Sequence, residues 1–543
     1  MLRRLSLALA VAAATTGMAW AEEAPLASKT DLVTVYNEAV KNNADLAAAR
    51  ANYAAIKEVV PQARAGLLPN LSAGADSMNT DTKVDTRNGD IDSSRSGLSY
   101  RANLSQPLFR ADRWYQFQAA KATDQQYALQ LSATEQNLIL QSAETYFAVL
   151  RAQDTLASTK AEEAAFKRQL DQANERFDVG LSDKTDVLEA QAGYDTARAN
   201  RILAERAVDD AFQALVTLTN REYASIEGIL HSLPVLEPTP NDAKAWVDTA
   251  AQQNLNLQAS NYAVNAAEET LRQNKAGHAP TLDAVAQYQK GDNDNLGFSN
   301  TDALSPYDGD AEQTSIGLQL NIPIYSGGLT SSQVREAYQR LNQSEQERES
   351  LRRKVVENTR NLHRAVNTDV ETVQARRQSI ISNQSALEAT EIGYQVGTRN
   401  IVDVLDAQRQ LYSSVRDYNN ARYNYIIDNL RLKQAAGTLA PSDLEALSAY
   451  LKPDYNPDKD FLPPDLAKAA ELRYGRIPSI EKQLDAALPV AEARENVMLK
   501  EEVSPDDIAD VVSAWTGIPA GRMMEGETAK LLRMEEELGK RVI

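Results

Sequence analysis

Residues 394–408 read YQVGTRNIVDVLDAQ, and residues 177–191 read FDVGLSDKTDVLEAQ. The two phrases align without a gap, 217 residues apart. In each, a glycine (Gly180, Gly397) can take the left-handed backbone that ends a helix and lets the chain reverse. Each glycine is followed by two carboxylates three residues apart, Asp183 and Asp186 or Asp403 and Asp406. In the second copy a new helix is expected from near Asn400 or Ile401, with both acids on one face of its first turns. Helix, reversal and helix are written twice.

The phrase belongs to a longer duplication. PQARAGLLPNLSA (61–73) answers RQNKAGHAPTLDA (272–284), matching Gly66 and Pro69 to Gly277 and Pro280. LSQPLF (104–109) answers LNIPIY (320–325), pairing Pro107 with Pro323. Three anchors in one order mark an internal repeat. Residues 22–243 form the first repeat and 244–440 the second, followed by an equatorial or tail segment over 441–464. Each repeat opens with a helical segment, about 31–65 and 244–276. Two strands, a very long helix, the glycine phrase and another helix follow.

No glycine or proline occurs between Pro107 and Gly180, or between Gly328 and Gly393. Ala, Gln, Glu, Arg and Leu fill these runs and favour unbroken helix. The first could reach roughly 100 Å if wholly helical. Ile139, Ala143, Tyr146 and Leu150 follow the 4-3-4 rhythm of lateral helix packing. Leu411, Val415, Tyr418 and Tyr425 repeat it loosely, interrupted by Arg422.

The strands are expected over about 67–77, 97–108, 280–290 and 313–325. Leu98, Tyr100, Ala102 and Leu104 share one face against Ser99, Arg101, Asn103 and Ser105. Ile316, Leu318, Leu320 and Ile322 alternate with Gly317, Gln319 and Asn321. A period of two over about ten residues suits strands spanning a bilayer, apolar side out. It suits a soluble half-buried sheet equally well. The polar links over about 77–97 and 289–312 read as hairpin loops, whose acids either disfavour anions at a mouth or are simply solvated.

Arg3 and Arg4, the run LSLALAVAAA and Ala19-Trp20-Ala21 have the three-part pattern of a secretory signal peptide over residues 1–21. The remainder is expected outside the cytoplasm. Four strands cannot close a barrel around water, and an open edge in lipid strands backbone groups at several kcal/mol each. Membrane strands must then be pooled among the subunits of a symmetric oligomer. Strand arithmetic leaves three and four subunits both open.

Among the 543 residues there is no cysteine, which excludes disulfides and thiolate metal sites. The formal charge of −19 argues against a nucleic-acid partner. For the paired acids, one explanation is favourable placement at a helix N-terminus. The other is a ring about a symmetry axis, where like charges about 8 Å apart repel by roughly 2 kcal/mol at an effective dielectric constant of 20. Such a ring must attract cations, take up protons or guard an opening.

YQVGTRNIVDVLDAQ, LNIPIYSGG, the NARYNYI stretch (420–426) and their first-half counterparts together resemble the TolC family of outer-membrane efflux proteins, over about residues 22–464. The resemblance implies a mixed membrane β-barrel and α-helical barrel. It implies a homotrimer with four barrel strands per subunit, long coiled-coil periplasmic helices and an equatorial region, drawn here from 221–243 and the residues after 437. It further implies selectivity rings of Asp403 and Asp406 at the periplasmic constriction. Tyr394 and Arg399 would hold the gate, with Thr185 and Asp186 as partners. The expected role is a passive exit duct of tripartite efflux or type I secretion systems, working with a periplasmic adaptor and an inner-membrane transporter. It would sit in the lipid of the outer membrane and carry no cofactor, metal or catalytic residue.

The tail has no place in the duplicated plan. AELRYGRIPSIEKQLDAA (470–487) and EEVSPDDIADVVSAWTGIP (501–519) resemble the ClpB-type disaggregase segment that precedes the second ATPase module, over about 465–543. No G-x-x-x-x-G-K-[ST] motif accompanies them. Helices are expected from near Asp506 and across 526–541. An engineered fusion, a gene-model error and a natural extension all fit. A secreted coiled-coil scaffold and a chaperone-related fusion are the competing functions. His231, His278 and His363 lack ligand spacing and read as structural or solvent-facing. Trp114 suits either a membrane-interface anchor or packing at a barrel rim.

Overall fold

The computed structural model describes residues 29–464, apart from residue 88 and residues 293–309. The expected signal peptide, most of the second hairpin link and the tail helices lie outside the described residues.

The first repeat opens with α1 (Leu32–Asn42), α2 (Ala44–Lys57) and α3 (Val59–Ala65). The expected continuous segment is therefore broken, and Asn43 breaks it. Its backbone is extended and its side chain accepts from the Leu46 amide at 2.9 Å, while its amide donates to the Leu218 carbonyl at 3.3 Å. The strands β1 (Asn70–Thr86) and β2 (Gly89–Phe109) follow, then α4 (Ala111–Asp178) and α5 (Lys184–Thr219). The strand β3 (Gly228–Ile229) closes this repeat.

The second repeat copies the plan. Helices α6 (Ala243–Gln253) and α7 (Leu255–Ala276) meet at Asn254, which accepts from Leu257 N at 3.0 Å and donates to the Ala435 carbonyl at 2.9 Å. One asparagine thus caps a short helix and satisfies a carbonyl near the end of a long one, at equivalent places in both repeats. Then come β4 (Thr281–Asp292), β5 (Asp310–Asn321), α8 (Leu329–Gln395) and α9 (Ile401–Ala436). The chain continues through α10 (Pro441–Ser448), β6 (Leu451–Lys452) and α11 (Pro457–Asp460). At 68 and 67 residues, α4 and α8 each run for about 100 Å.

The four long strands make one antiparallel sheet in the order β1-β2-β4-β5. Pairing places Leu71 opposite Leu104, Ala102 opposite Tyr288, and Ala286 opposite Ile316. The alternating apolar residues therefore form one face four strands wide. Leu71, Tyr100, Ile316, Leu318 and Leu320 are all exposed there. Among the described residues, β1 and β5 each have one unpaired edge.

The first hairpin corrects the expected loop over 77–97. Its ladder continues through Asp81↔Ser94 to Thr86↔Gly89, so β1 and β2 run for 17 and 21 residues. Polar sequence hid this because a two-stranded ribbon in water needs no apolar face. Gly89 supplies the positive φ of 122° at the turn. In the second hairpin β5 ends at Asn321, short of the expected 325, before Pro323, which has no N–H to give the ladder. The ends of the expected 289–312 link, 289–292 and 310–312, are strand.

The helices pair as α4 with α5 and α8 with α9, and α9 also packs on α4. Ile139, Ala143, Tyr146 and Leu150 are buried, as are Val415, Tyr418, Arg422 and Tyr425. Arg422 is accommodated by donating to the Leu230 carbonyl at 2.8 Å. The two segments beside the long helices come together where β3 pairs with β6. The first is tied to α4 where the Tyr146 hydroxyl donates to the Glu227 carbonyl at 2.6 Å, and the second by Asp154, a buried carboxylate that accepts from Tyr455 and, at 2.7 Å, from Tyr423 of α9. Burial pushes Asp154 up to about 6, against the opposing pull of the two tyrosine hydroxyls. Gly228 is required here, because a Cβ would lie 2.0 Å from the Tyr455 ring.

Candidate gate at the hairpin turns

The two glycine phrases form the turns α4–α5 and α8–α9. Gly180 and Gly397 have φ of 76° and 79°, the left-handed region that favours glycine. Leu181 N bonds the Arg176 carbonyl at 2.8 Å, and Thr398 N bonds the Gly393 carbonyl at 2.9 Å. These bonds satisfy carbonyls that the ended helices would leave bare. Nothing lies within 4 Å of where either glycine's Cβ would stand, so backbone conformation rather than space demands glycine.

The helices that follow start differently. Asp183 caps α5 with its own carboxylate, accepting from Thr185 N at 2.8 Å and Asp186 N at 3.1 Å. In α9 the neutral Asn400 does this work, accepting from Asp403 N at 2.8 Å, while Asp403 returns a bond to Asn400 N at 3.3 Å. Asp403 therefore completes a capping box. Asp406, one turn on, is exposed and pairs with Arg409 at 2.5 Å.

The turns are tied together just behind this point. Phe166 of α4, Ala197 of α5, Leu387 and Tyr394 of α8, and Ile401, Val404 and Leu405 of α9 form one buried cluster. Tyr394 is 7% exposed, and its hydroxyl has no hydrogen-bond partner among the described residues. The Arg176 guanidinium lies 4.9 Å from the centre of its ring. Burial is the main cause raising the Tyr394 pKa; Arg176 lowers it and Asp186 raises it, which puts Asp186 within electrostatic reach.

Of the expected gate contacts, Tyr394 and Asp186 are thus brought near each other without a bond. Asp186 accepts from Ser182 at 2.7 Å. Arg399 lies 4.0 Å from Asp403, and among the described residues it bonds neither Thr185 nor Asp186. Sequence reasoning missed Glu391, whose pKa is raised by burial and held back by a bond from Gln408. The repeated phrase carried a signal for it, since both copies end in glutamine, Gln191 and Gln408. Asp154 was also missed, although its repeat counterpart Glu371 is likewise an acid.

No group of three His, Asp or Glu side chains that could hold a metal ion occurs among the described residues. His231 makes a 2.9 Å bond with the Asp460 carbonyl and stacks on Tyr418, and His363 is buried. Trp114 is exposed near the end of β2, with its ring 6.2 Å from that of Phe117. No described helix is long and apolar enough to cross a membrane.

The family described as "Outer membrane efflux protein" matches residues 35–221 and 246–438. The chain is 37% identical over 424 residues to the outer membrane protein TolC of Vibrio cholerae, covering 78% of this chain and 94% of that protein. Its fold is similar to the CmeC outer membrane channel of Campylobacter jejuni, with a TM-score of 0.65, 17% identity, and coverage of 78% of this chain and 90% of that one. A separate stretch of 79 residues, 14% of this chain, is 87% identical to the chaperone protein ClpB of Mycobacterium tuberculosis and covers 9% of it.

Proposed function

Because the chain belongs to the outer membrane efflux protein family, we propose that it forms the exit duct through which an export system discharges its cargo, and that it is gated at the hairpin turns. It is an outer-membrane channel-tunnel with a periplasmic extension, and it is not an enzyme. The observation that carries this reading is the sheet: an exposed apolar face, a polar opposite face and two unpaired edges, continued by helices about 100 Å long. Lipid does not tolerate such edges, so β1 of one copy pairs with β5 of the next. Three copies give a closed barrel of twelve strands.

In that trimer Asp403 and Asp406 stand as rings at the periplasmic opening, where they favour cations. Tyr394 and Arg399 hold the closed state by reaching Thr185 and Asp186, and the unpartnered Tyr394 hydroxyl supports this role. Opening exchanges those contacts as the α8–α9 hairpin moves outward. Energy comes from a partner, since the sequence has no phosphate-binding loop. A periplasmic adaptor and an inner-membrane transporter supply it. The ClpB-like stretch lacks a nucleotide site, and deleting residues 466–543 should leave efflux intact in a channel-null strain.

The test is conductance in planar bilayers. Replacing Asp403 and Asp406 with Ala should raise single-channel conductance or weaken block by multivalent cations. If neither changes, the acids do not line the constriction.

A further inference from the structure

Asn254 ties the start of α7 to the end of α9, and beside that joint the helices leave a hollow. A cavity of about 770 Å³ opens there between α4 and α8. Leu351 and the buried Val355 give it an apolar floor. Gln130 of α4, Asn256 of α7, and Lys354 and Asn358 of α8 stand exposed at its rim. None of these four side chains has a hydrogen-bond or ion-pair partner among the described residues.

The cavity faces away from the excursion that links α5 to α6. Asn137 of α4, Asn358 of α8 and Gln434 of α9 line it. Nine residues from each, and so half a turn round its helix, stands a residue bonded to the excursion. Tyr146 donates to the Glu227 carbonyl at 2.6 Å, Asn367 to Asn241 at 3.1 Å and Tyr425 to the Leu236 carbonyl at 3.0 Å. In a duct the excursion stands outside, because inside it would fill the bore, so the cavity opens inward. That placement rests on the duct reading above and deepens it.

Charge separates the cavity from the wall beside it. Seven residues on from Asn137, Glu144 pairs with Arg431 at 2.7 Å; five turns on from Asn358, Arg376 pairs with Asp417 at 3.1 Å. Beside Lys354, Arg352 and Arg353 are bound to Glu349 at 2.7 and 2.9 Å. Lys354 itself is unmatched, and no Asp or Glu lines the cavity with it. The carbonyls that end α9 there are taken, Gln434 by the Gly437 amide and Ala435 by Asn254, each at 2.9 Å. No bare negative end therefore opposes an anion.

We propose that this cavity binds drug-sized amphipathic organic anions inside the bore. The apolar body lies on Leu351 and Val355, the anionic group on the Lys354 ammonium, and the remaining polar groups on Asn256 and Asn358. The duct then carries two opposite preferences, for cations at Asp403 and Asp406 and for anions here.

Naphthalene-1-sulfonate is a suitable probe, added on the barrel side of single channels in planar bilayers so that it need not pass the turns. It should interrupt the current reversibly. Lys354→Gln should weaken that block roughly tenfold, and Lys354→Glu should abolish it. Arg376→Gln removes a charge from the same wall outside the cavity and should change the block by less than about twofold. No block of the unmodified channel, an unchanged block in Lys354→Gln, or an equal loss in Arg376→Gln would overturn the site while the channel stands. No conductance from the unmodified protein would overturn the duct, and with it the inward placement.

Discussion

The two helical hairpins reverse alike and are fastened differently. At both turns glycine has φ within a few degrees of 78°, and the helices leading in differ by one residue in length. Around that shared backbone the side chains have diverged. A charged Asp183 caps one helix where the neutral Asn400 caps the other. The helix α5 ends on Asn220 in the left-handed region and α9 on Gly437. Asp154 is buried beneath two tyrosines, and its counterpart Glu371 is exposed. Duplication preserved what the backbone requires and released what the surroundings decide.

The sharpest test of that contrast is a pair of deletions. Asp154→Ala strands two buried tyrosine hydroxyls and should cost about 3 kcal/mol. Glu371→Ala should change the stability of the unassembled chain by less than about 0.5 kcal/mol. Thermal melts of detergent-solubilised protein read both, and equal losses would erase the distinction.

The helix ends come next. A Cβ on Gly437 would stand 2.2 Å from the Gln253 carbonyl oxygen. Gly437→Asn should therefore cost about 2 kcal/mol or more, through clash as well as conformation. The reciprocal Asn220→Gly should be neutral to within a few tenths of a kcal/mol, since asparagine tolerates that region. Removing either N-cap, by Asp183→Ala or Asn400→Ala, should cost about 1 kcal/mol. A much larger loss at Asn400 would mean that the box with Asp403 acts beyond capping.

The same buried carboxylate should also give a slope with pH. Asp154 titrates near 3.8 when unfolded and is pushed up to about 6 when folded, with Arg422 and Asp460 also bearing on it. Between those values the folded chain holds a proton that the unfolded chain has released. This group's stabilisation is therefore complete below about pH 4 and is lost as pH rises through about 6. Asp154→Asn should flatten that part of the stability curve, and an unchanged slope would assign it to other carboxylates.

Much of the architecture was legible because it lives in periodicity. The absence of glycine and proline over 108–179 announced a helix of the right length, and alternation located the exposed apolar face of the sheet. The β1–β2 extension was not legible, because its sequence is polar and carries no regular apolar alternation. The breaks at Asn43 and Asn254 escaped notice because asparagine inside a helical run signals a cap only when a carbonyl waits across the interface. At the α8–α9 turn, Asp403 and Asp406 could be singled out from spacing. That Asp403 also closes a capping box depends on the rotamer of Asn400, which no pattern records.

Asn43 and Asn254 have a further consequence for how such a tube can evolve. Each ties the start of one helix to the end of another, Asn43 to Leu218 and Asn254 to Ala435, so the helices are joined in space while the peptide departs and returns elsewhere. The excursions between, Asn220–Asp242 and the residues after Gly437, can lengthen, shrink or acquire new contacts without altering the height of the column. A collar built this way can be re-tailored to new neighbours while the pipe keeps its dimensions.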